Sequence, residues 1–415
     1  MVHKTNKRKI INDPVYGFIN IPGDFIYDII EHPWFQRLRN IRQLGLTSFV
    51  YPGATHTRFQ HAIGALHLMT MAIRTLRDKG VNISSEEEEA TLVAILLHDA
   101  GHGPFSHALE NSIISGISHE EISLLLMKKL NEDYKGRLSL AIEIFTGKYK
   151  RKFLHELIAG QADMDRLDYL NRDSFFTGVI EGSVGSDRII RMLNVVNNRL
   201  VIDEKGIYSL EKFIIARRLM YWQVYMHKTV LSSESMLVNI LKRAKELAVS
   251  GNDIYATPAL RFFLYNEIGP ADLAGKGQFT SGHIATNFTR LDDSDILVSA
   301  KYWADDNDRV LADLSRRLMQ RDLLAIELQN EPFDVKRVTE LKRSVTEKFS
   351  ISQSLAKYYV FSGNVSNLAY APDAPEIKIL LRSGKTAELQ AVSDMFEHRF
   401  LSERIIKYFL CYPKD

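Results

Sequence analysis

The chain has 415 residues, 53 basic against 51 acidic side chains for a net charge of +2, and 45% hydrophobic residues. That balance excludes a general electrostatic pull toward nucleic acid or an anionic membrane, so any anion site must be local. A single Cys411 excludes an intrachain disulfide, the stretch Met1 to Pro14 has no apolar signal core, and runs such as Leu92–Leu97 are far too short to span a bilayer; a cytoplasmic protein without membrane contact is expected.

The first three quarters read as successive helices. Thr57 to Lys79 has apolar residues at helical spacing and ends at Gly80. Ser84 or Ser85, each with a Glu three residues on, predicts a helix start by the capping-box pattern, and that helix runs to His98-Asp99, where Gly101, Gly103 and Pro104 break it. Ser118 with Glu121 repeats the pattern ahead of Glu120 to Leu130. Helices are also expected over Phe153 to Asn171 and Asp187 to Val196. Leu200-Val201-Ile202, Asp203 to Gly206 and Ile207-Tyr208 read as a β-hairpin. A long helical stretch follows over Leu210 to Ala248, then a short helix and a Gly-rich loop up to Gly282, then helix again over Asp292 to Met319. Beyond about residue 320 the texture changes. Leu323–Leu328, Tyr358–Phe361, Ile377–Leu381 and Ile405–Leu410 are β-like, and Val335–Phe349 and Ala387–Phe396 are helical between them. The fold class is therefore mainly α, with a smaller C-terminal α+β region over 321–415 on a helical body over 1–320.

Seven of the 13 histidines fall between residues 56 and 119. Surface histidines have no reason to cluster in this way, whereas a metal or phosphate site does. His61, the pair His98-Asp99 and a later carboxylate, Asp165 or its rival Asp163, make a hard-to-borderline donor set for a divalent metal. Consecutive helical residues point about 100° apart, so His98 and Asp99 reach one ion only near a helix end, which Gly101 supplies. A metal with open positions activates water and clamps a phosphate oxygen, so the set points to hydrolysis of a phosphate ester or anhydride. Arg58 and His61 share a helix face, as do Asp165, Tyr169 and Asp173. The stripe Arg217, Tyr221, Tyr225 and Lys228 is either a solvated or core-edge face, or a face that meets a polyphosphate through its cations.

The order His61, His98-Asp99, Asp165 resembles the HD superfamily of metal-dependent phosphohydrolases. Longer runs sharpen the resemblance: Phe35-Gln36-Arg37-Leu38-Arg39, Ile41-Arg42-Gln43-Leu44-Gly45, Pro52-Gly53-Ala54, Arg58-Phe59-Gln60-His61, His98 through His107, and Asp165-Arg166-Leu167-Asp168-Tyr169. These look like the deoxynucleoside triphosphate triphosphohydrolase branch, over about residues 10–240, with an HD core at about 50–180.

The resemblance implies His61, His98, Asp99 and Asp165 as ligands to a divalent metal (Fe, Mn, Zn, Co, Ni or, less comfortably, Mg). It implies His119 as the acid that protonates the leaving 5′-oxygen and Glu110 as the residue that orients it. Arg58, His102, His107, Arg166 and Arg217 would contact the triphosphate, with His107 also counted in the catalytic machinery. Gln43 and Asp173 would bind the sugar 3′-hydroxyl, Leu44 and Tyr169 would crowd C2′, and Tyr225 would lie near the sugar or base. Arg166 stands where the animal enzymes have Lys, and Glu110 where they have Asp; neither removes the chemistry. Asn12-Asp13-Pro14 with Glu31, Gln36 and Arg39 resembles part of a second, activating nucleotide site; alternatively Gln36 and Arg39 are helix and interface residues. A dNTP substrate, a nucleotide effector and a homo-oligomer (dimer or tetramer) are the implied partners, with nucleic acid disfavoured by the charge balance. The competing expectations are another HD reaction (nucleotidase, phosphodiesterase or single-strand exonuclease) and a nucleotide-sensing protein with little turnover.

Overall fold

A computed structural model describes residues 9–105, 112, 114, 116–367, 377–395 and 405–414. Six of its helices build the site: α1 (Arg58–Asp78), α2 (Ser85–Leu97), α3 (His119–Asp133), α4 (Met164–Thr177), α5 (Ile207–Met220) and α6 (Lys228–Val249). Their starts are set by side chains that satisfy the free N–H groups of a first turn. Ser84 Oγ accepts the Glu87 N–H at 3.1 Å, and Glu87 Oε2 accepts the Ser84 N–H at 3.0 Å. Ser118 and Glu121 form the same box on α3, and Thr57 pairs with Gln60 on α1. Ser84, not Ser85, is the cap.

Position in the bundle follows from polarity. From Ala90 to Leu97 every residue of α2 is buried, because a helix apolar on all sides can only sit at the centre. Helix α1 packs against α2 and α4, so the first turn of α1, the last of α2 and the first of α4 meet. That junction carries His61, His98-Asp99 and Asp165. Among the described residues no helix is long and apolar enough to cross a membrane.

Among the described residues, three sheets flank this mainly helical body. An N-terminal hairpin pairs β1 (Ile10–Asp13) with β2 (Gly17–Asn20). Strands β3 (Leu193–Val196) and β4 (Arg199–Asp203) are antiparallel, and β7 (Lys378–Leu380) joins β4 in parallel with β8 (Thr386–Glu388) beyond it. The third sheet has the order β5 (Ala325–Gln329), β9 (Ile405–Tyr412), β6 (Phe361–Asn367). Strands from both sides of residue 320 thus share the second sheet.

Several sequence expectations need correction. The hairpin expected over 200–208 lies earlier. Its turn is Asn197-Asn198, with φ of 49° and 63°, the left-handed pair that a two-residue hairpin turn requires and that Asn tolerates. The preceding helix accordingly stops at Met192, and Ile207 begins α5. Phe153 to Asn171 is two helices, Lys152–Ala159 and α4, divided by Gly160 to Asp163. The stretch 210–248 is broken by a π-helical turn at Tyr221–Tyr225. Asp292 to Met319 splits into Asp293–Trp303 and Arg309–Met319. Tyr358 closes a 3-10 turn, with the strand starting at Phe361. Of the helix expected from Ala387, only Leu389–Val392 forms within the described residues. Val335–Phe349 is a helix with the expected ends.

Candidate active site

The site is assembled by short-range devices. Residues 41–43 run beside 56–58: the Gln43 N–H donates to His56 O and the Arg58 N–H to Ile41 O, both at 2.9 Å. Gln43 and Leu44 therefore lie next to Arg58 at the start of α1. The turn after α2 is sewn to α3 by Ser123, whose Oγ donates to His98 O at 2.7 Å and accepts the Gly101 N–H at 2.8 Å. A Cβ on Gly101 would lie 2.1 Å from His119 O, so only glycine lets this turn approach α3. The close approach stacks His102 on His119, with ring centroids 3.9 Å apart.

Arg37 holds the same turn from the other side. Fully buried, it donates to Leu291 O (2.7 Å), Ala100 O (3.2 Å) and His102 O (2.6 Å). Asp293 accepts the N–H groups of Arg42 (3.0 Å) and Phe105 (3.1 Å), tying the Gln43 segment to the His102 segment. Burial raises the Asp293 carboxyl to about 6, against the pull of those two N–H groups and the Arg42 charge. Between the ordinary carboxyl value and about 6 the folded chain thus holds a proton that the unfolded chain has released. Stability should fall as pH rises from about 4 to 6, by up to about 3 kcal/mol from this group. Denaturant titrations across that range should show a shallower slope for Asp293→Asn than for the wild type; equal slopes would sink the assignment.

At the centre, the ligand atoms of His61, His98 and Asp99, all buried, lie within 4.8 Å of one another. Asp165 Oδ1 is 3.1 Å from His61 Nε2 and 3.4 Å from His98 Nε2. Neither Nε2 makes a hydrogen bond among the described residues. Each imidazole is fixed through its other nitrogen, His61 Nδ1 to Asp168 Oδ2 at 2.7 Å and His98 Nδ1 to Ile95 O at 2.6 Å. That is the arrangement that presents Nε2 as a metal donor. Burial works against charge at all four groups, yet the set is strongly polarised. His61 rises to about 10, because Asp165, Asp168 and Asp99 outweigh its desolvation. Asp99 falls well below the carboxylate range, because His102, His98, Arg58 and His61 outweigh its own. Asp165 is lowered in the same way by His61 and His98. A divalent ion satisfies this demand for buried positive charge better than imidazole protons do, so the residues present fit a metal. Asp163, the rival ligand, is used otherwise: it caps α4 by accepting the Arg166 N–H at 2.7 Å and pairs with the Arg166 guanidinium.

Two clefts meet at this centre. One, with about 460 Å³ of open volume, is lined by His98, Asp99, His119, Asp165, Arg166 and His155 among others. The other, of about 310 Å³, is lined by Gln43, Leu44, Arg58, Phe105, Tyr221 and Tyr225, with Glu234 and Val365 also in its wall. Arg58 in the second cleft pairs with Asp99 in the first. Tyr169 stands edge-on to Tyr225 at 6.2 Å, and Arg217 is buried with its Nε lacking a hydrogen bond among the described residues. Asp173 lies beneath Tyr225 with both oxygens engaged, one by His56 Nε2 and one by the Tyr225 hydroxyl, each at 2.7 Å. His107 and Glu110 lie outside the described residues.

Sequence reasoning missed Arg37, His56, Asp168 and Arg172 as parts of the site. One signal was present: Asp168 and Arg172 are i, i+4, an ion-pair spacing. The residues compared with an activating nucleotide site have local partners. Gln36 Nε2 donates to Ile30 O at 2.7 Å, Arg39 Nε donates to Gln36 Oε1 at 2.7 Å, and the Arg39 guanidinium lies over Phe59. Asn12 and Glu31 are exposed, whereas Asp13 faces inward.

Residues 58–173 match the HD domain, and residues 184–258 match the HD associated region. The chain is 32% identical to the uncharacterized protein YwfO of Bacillus subtilis, over 99% of this chain and 94% of that protein. It is 32% identical to a deoxynucleoside triphosphate triphosphohydrolase SAMHD1 homolog of Dictyostelium discoideum, over 57% of this chain. The matched segment spans half of that protein. The crystal structure of a phosphohydrolase from Bacteroides thetaiotaomicron superposes with a TM-score of 0.94 at 50% identity, covering 98% of this chain and all of that one.

Proposed function

The chain belongs to the HD-domain phosphohydrolases, and within that family we propose that it hydrolyses deoxynucleoside triphosphates to deoxynucleoside and inorganic triphosphate. The observation that carries this reading is the meeting of two unlike clefts at the Arg58–Asp99 pair. One side offers metal ligands, His119 and Arg166, suited to a polyanion; the other offers Gln43, Leu44 and a tyrosine wall, suited to a nucleoside. The Gln43 Oε1 atom is buried without a hydrogen bond among the described residues, an acceptor waiting for a hydroxyl such as the sugar 3′-OH. In this reading Leu44 and Tyr169 crowd C2′ and disfavour a ribose.

His61, His98, Asp99 and Asp165 would hold a divalent metal, which when bound would supply Lewis acidity toward water and a phosphate oxygen. Arg58, His102, Arg166 and Arg217 bind the triphosphate and offset its charge. As water oxygen bonds to the α-phosphorus and the P–O5′ bond breaks, His119 gives a proton to O5′; one water proton leaves with the triphosphate and the other returns through solvent to His119. The stack of His102 on His119 orients that acid. Glu110 as its partner and His107 on the triphosphate belong to the same proposal. So do an oligomeric assembly and nucleotide activation at Asn12, Glu31, Gln36 and Arg39.

The test is a turnover assay on metal-loaded protein with each dNTP, singly and mixed, products separated by ion exchange. Triphosphate and deoxynucleoside in equal amounts are expected. Orthophosphate, pyrophosphate or a monophosphate would assign a different HD reaction. His119→Asn should lower kcat about 10²–10⁴-fold while retaining its metal.

A further inference from the structure

We propose that the N-terminal hairpin is a working part of the metal site, with Asp13 a positioning residue that acts on His61 through Arg172 and Asp168. Four buried groups form an unbroken series. Asp13 Oδ2 accepts from Arg172 Nη1 at 2.8 Å, Arg172 Nε donates to Asp168 Oδ2 at 2.9 Å, and that same Oδ2 accepts from His61 Nδ1 at 2.7 Å. The side chains of His61, Asp168 and Arg172 are wholly inaccessible, and that of Asp13 is 3% exposed.

Charge explains why Asp13 matters. Behind the imidazole stand two carboxylates and one guanidinium, a net charge of −1. This residual charge favours a cation in front of Nε2 and strengthens Nδ1–H···Asp168. Without the Asp13 charge, Arg172 is left to Asp168 alone, the sum is zero, and His61 becomes a poorer donor. The space is built for the series as well. Gly64, one turn after His61, would place a Cβ 1.9 Å from Asp168 Oδ1 and 2.1 Å from Arg172 Nη2. Asp13 in turn is held by the hairpin, since its Oδ1 accepts the Val15 and Tyr16 N–H groups at 2.9 and 3.0 Å, and the Tyr16 ring faces the Arg172 guanidinium.

The inference rests on His61 being a metal ligand. Its test is Mn²⁺ affinity of chelator-stripped full-length protein, measured by equilibrium dialysis for wild type, Asp13→Asn, Asp13→Glu and the hairpin core variant Ile19→Ala. Asp13→Asn should weaken binding about 10-fold or more. Asp13→Glu, which keeps the charge, should bind more tightly than Asp13→Asn. Ile19→Ala loosens the hairpin without touching the series and should bind as wild type does. Wild-type affinity in Asp13→Asn overturns the proposal. An equal loss in Ile19→Ala also overturns it, because the effect is then one of hairpin stability. A wild type that binds no Mn²⁺ removes the metal site itself, a different failure. If Asp13→Asn does not fold, Asp13→Ser, which also removes the charge but keeps an acceptor for the Val15 and Tyr16 N–H groups, takes its place: weakened binding with Ile19→Ala unchanged supports the series, and wild-type affinity overturns it.

Discussion

His98→Ala is expected to abolish metal retention and to lower phosphohydrolase turnover by at least about 10³-fold, since a bound metal contributes several kcal/mol to such a reaction. The ring is held by its Nδ1 hydrogen bond to Ile95 O, and its Nε2 makes no hydrogen bond among the described residues. No neighbour replaces it. His102, the next imidazole, is stacked on His119 and turns Nδ1 toward Asp99 Oδ1 at 3.4 Å. The variant should stay folded, because it loses one side-chain hydrogen bond and little apolar packing. Metal content by atomic absorption, read together with turnover, checks this. Wild-type metal content in His98→Ala would remove His98 from the ligand set whatever the activity. His119→Asn is the counterpart that should lose turnover and keep metal.

Arg172→Ala should be the most destabilising single change at the site, by about 3–5 kcal/mol, because breaking a buried ion pair strands charge that water cannot reach. Two carboxylates depend on this guanidinium, Asp168 on α4 itself and Asp13 on the hairpin, and neither is more than 3% exposed. Denaturant unfolding at neutral pH should show a lower midpoint with an unchanged slope. A loss below about 1 kcal/mol, the range of an exposed pair, would show that the carboxylates find water or take up protons at small cost.

The metal centre was legible because its reasons are local. A His-Asp pair at the end of an apolar helix, followed by Gly101, states where two ligands sit and why the chain bends there. Capping boxes at Ser84 and Ser118 marked helix starts for the same reason: the signal and its effect lie within four residues. The hairpin at 193–203 was local as well, but its turn is Asn-Asn, and the weaker Gly206 cue drew the expected hairpin downstream. The break at Tyr221–Tyr225 had no Gly or Pro to announce it. It is a π-helical turn, a distortion of an otherwise helical run that recurs at functional sites.

The sequence by itself determined the helical class and the helices on which the candidate donors sit, since periodicity, caps and breakers act over one or two turns. Only the tertiary structure shows that Asp163 caps α4 and pairs with Arg166, while Asp165 Oδ1 lies 3.1 and 3.4 Å from the two imidazole Nε2 atoms. It also decided that Asp173 is engaged by His56 and Tyr225, and that Asp13 meets Arg172 across 159 residues of chain. Such pairings depend on how helices and hairpin dock, and docking is set by burial summed over the whole core rather than by any one segment.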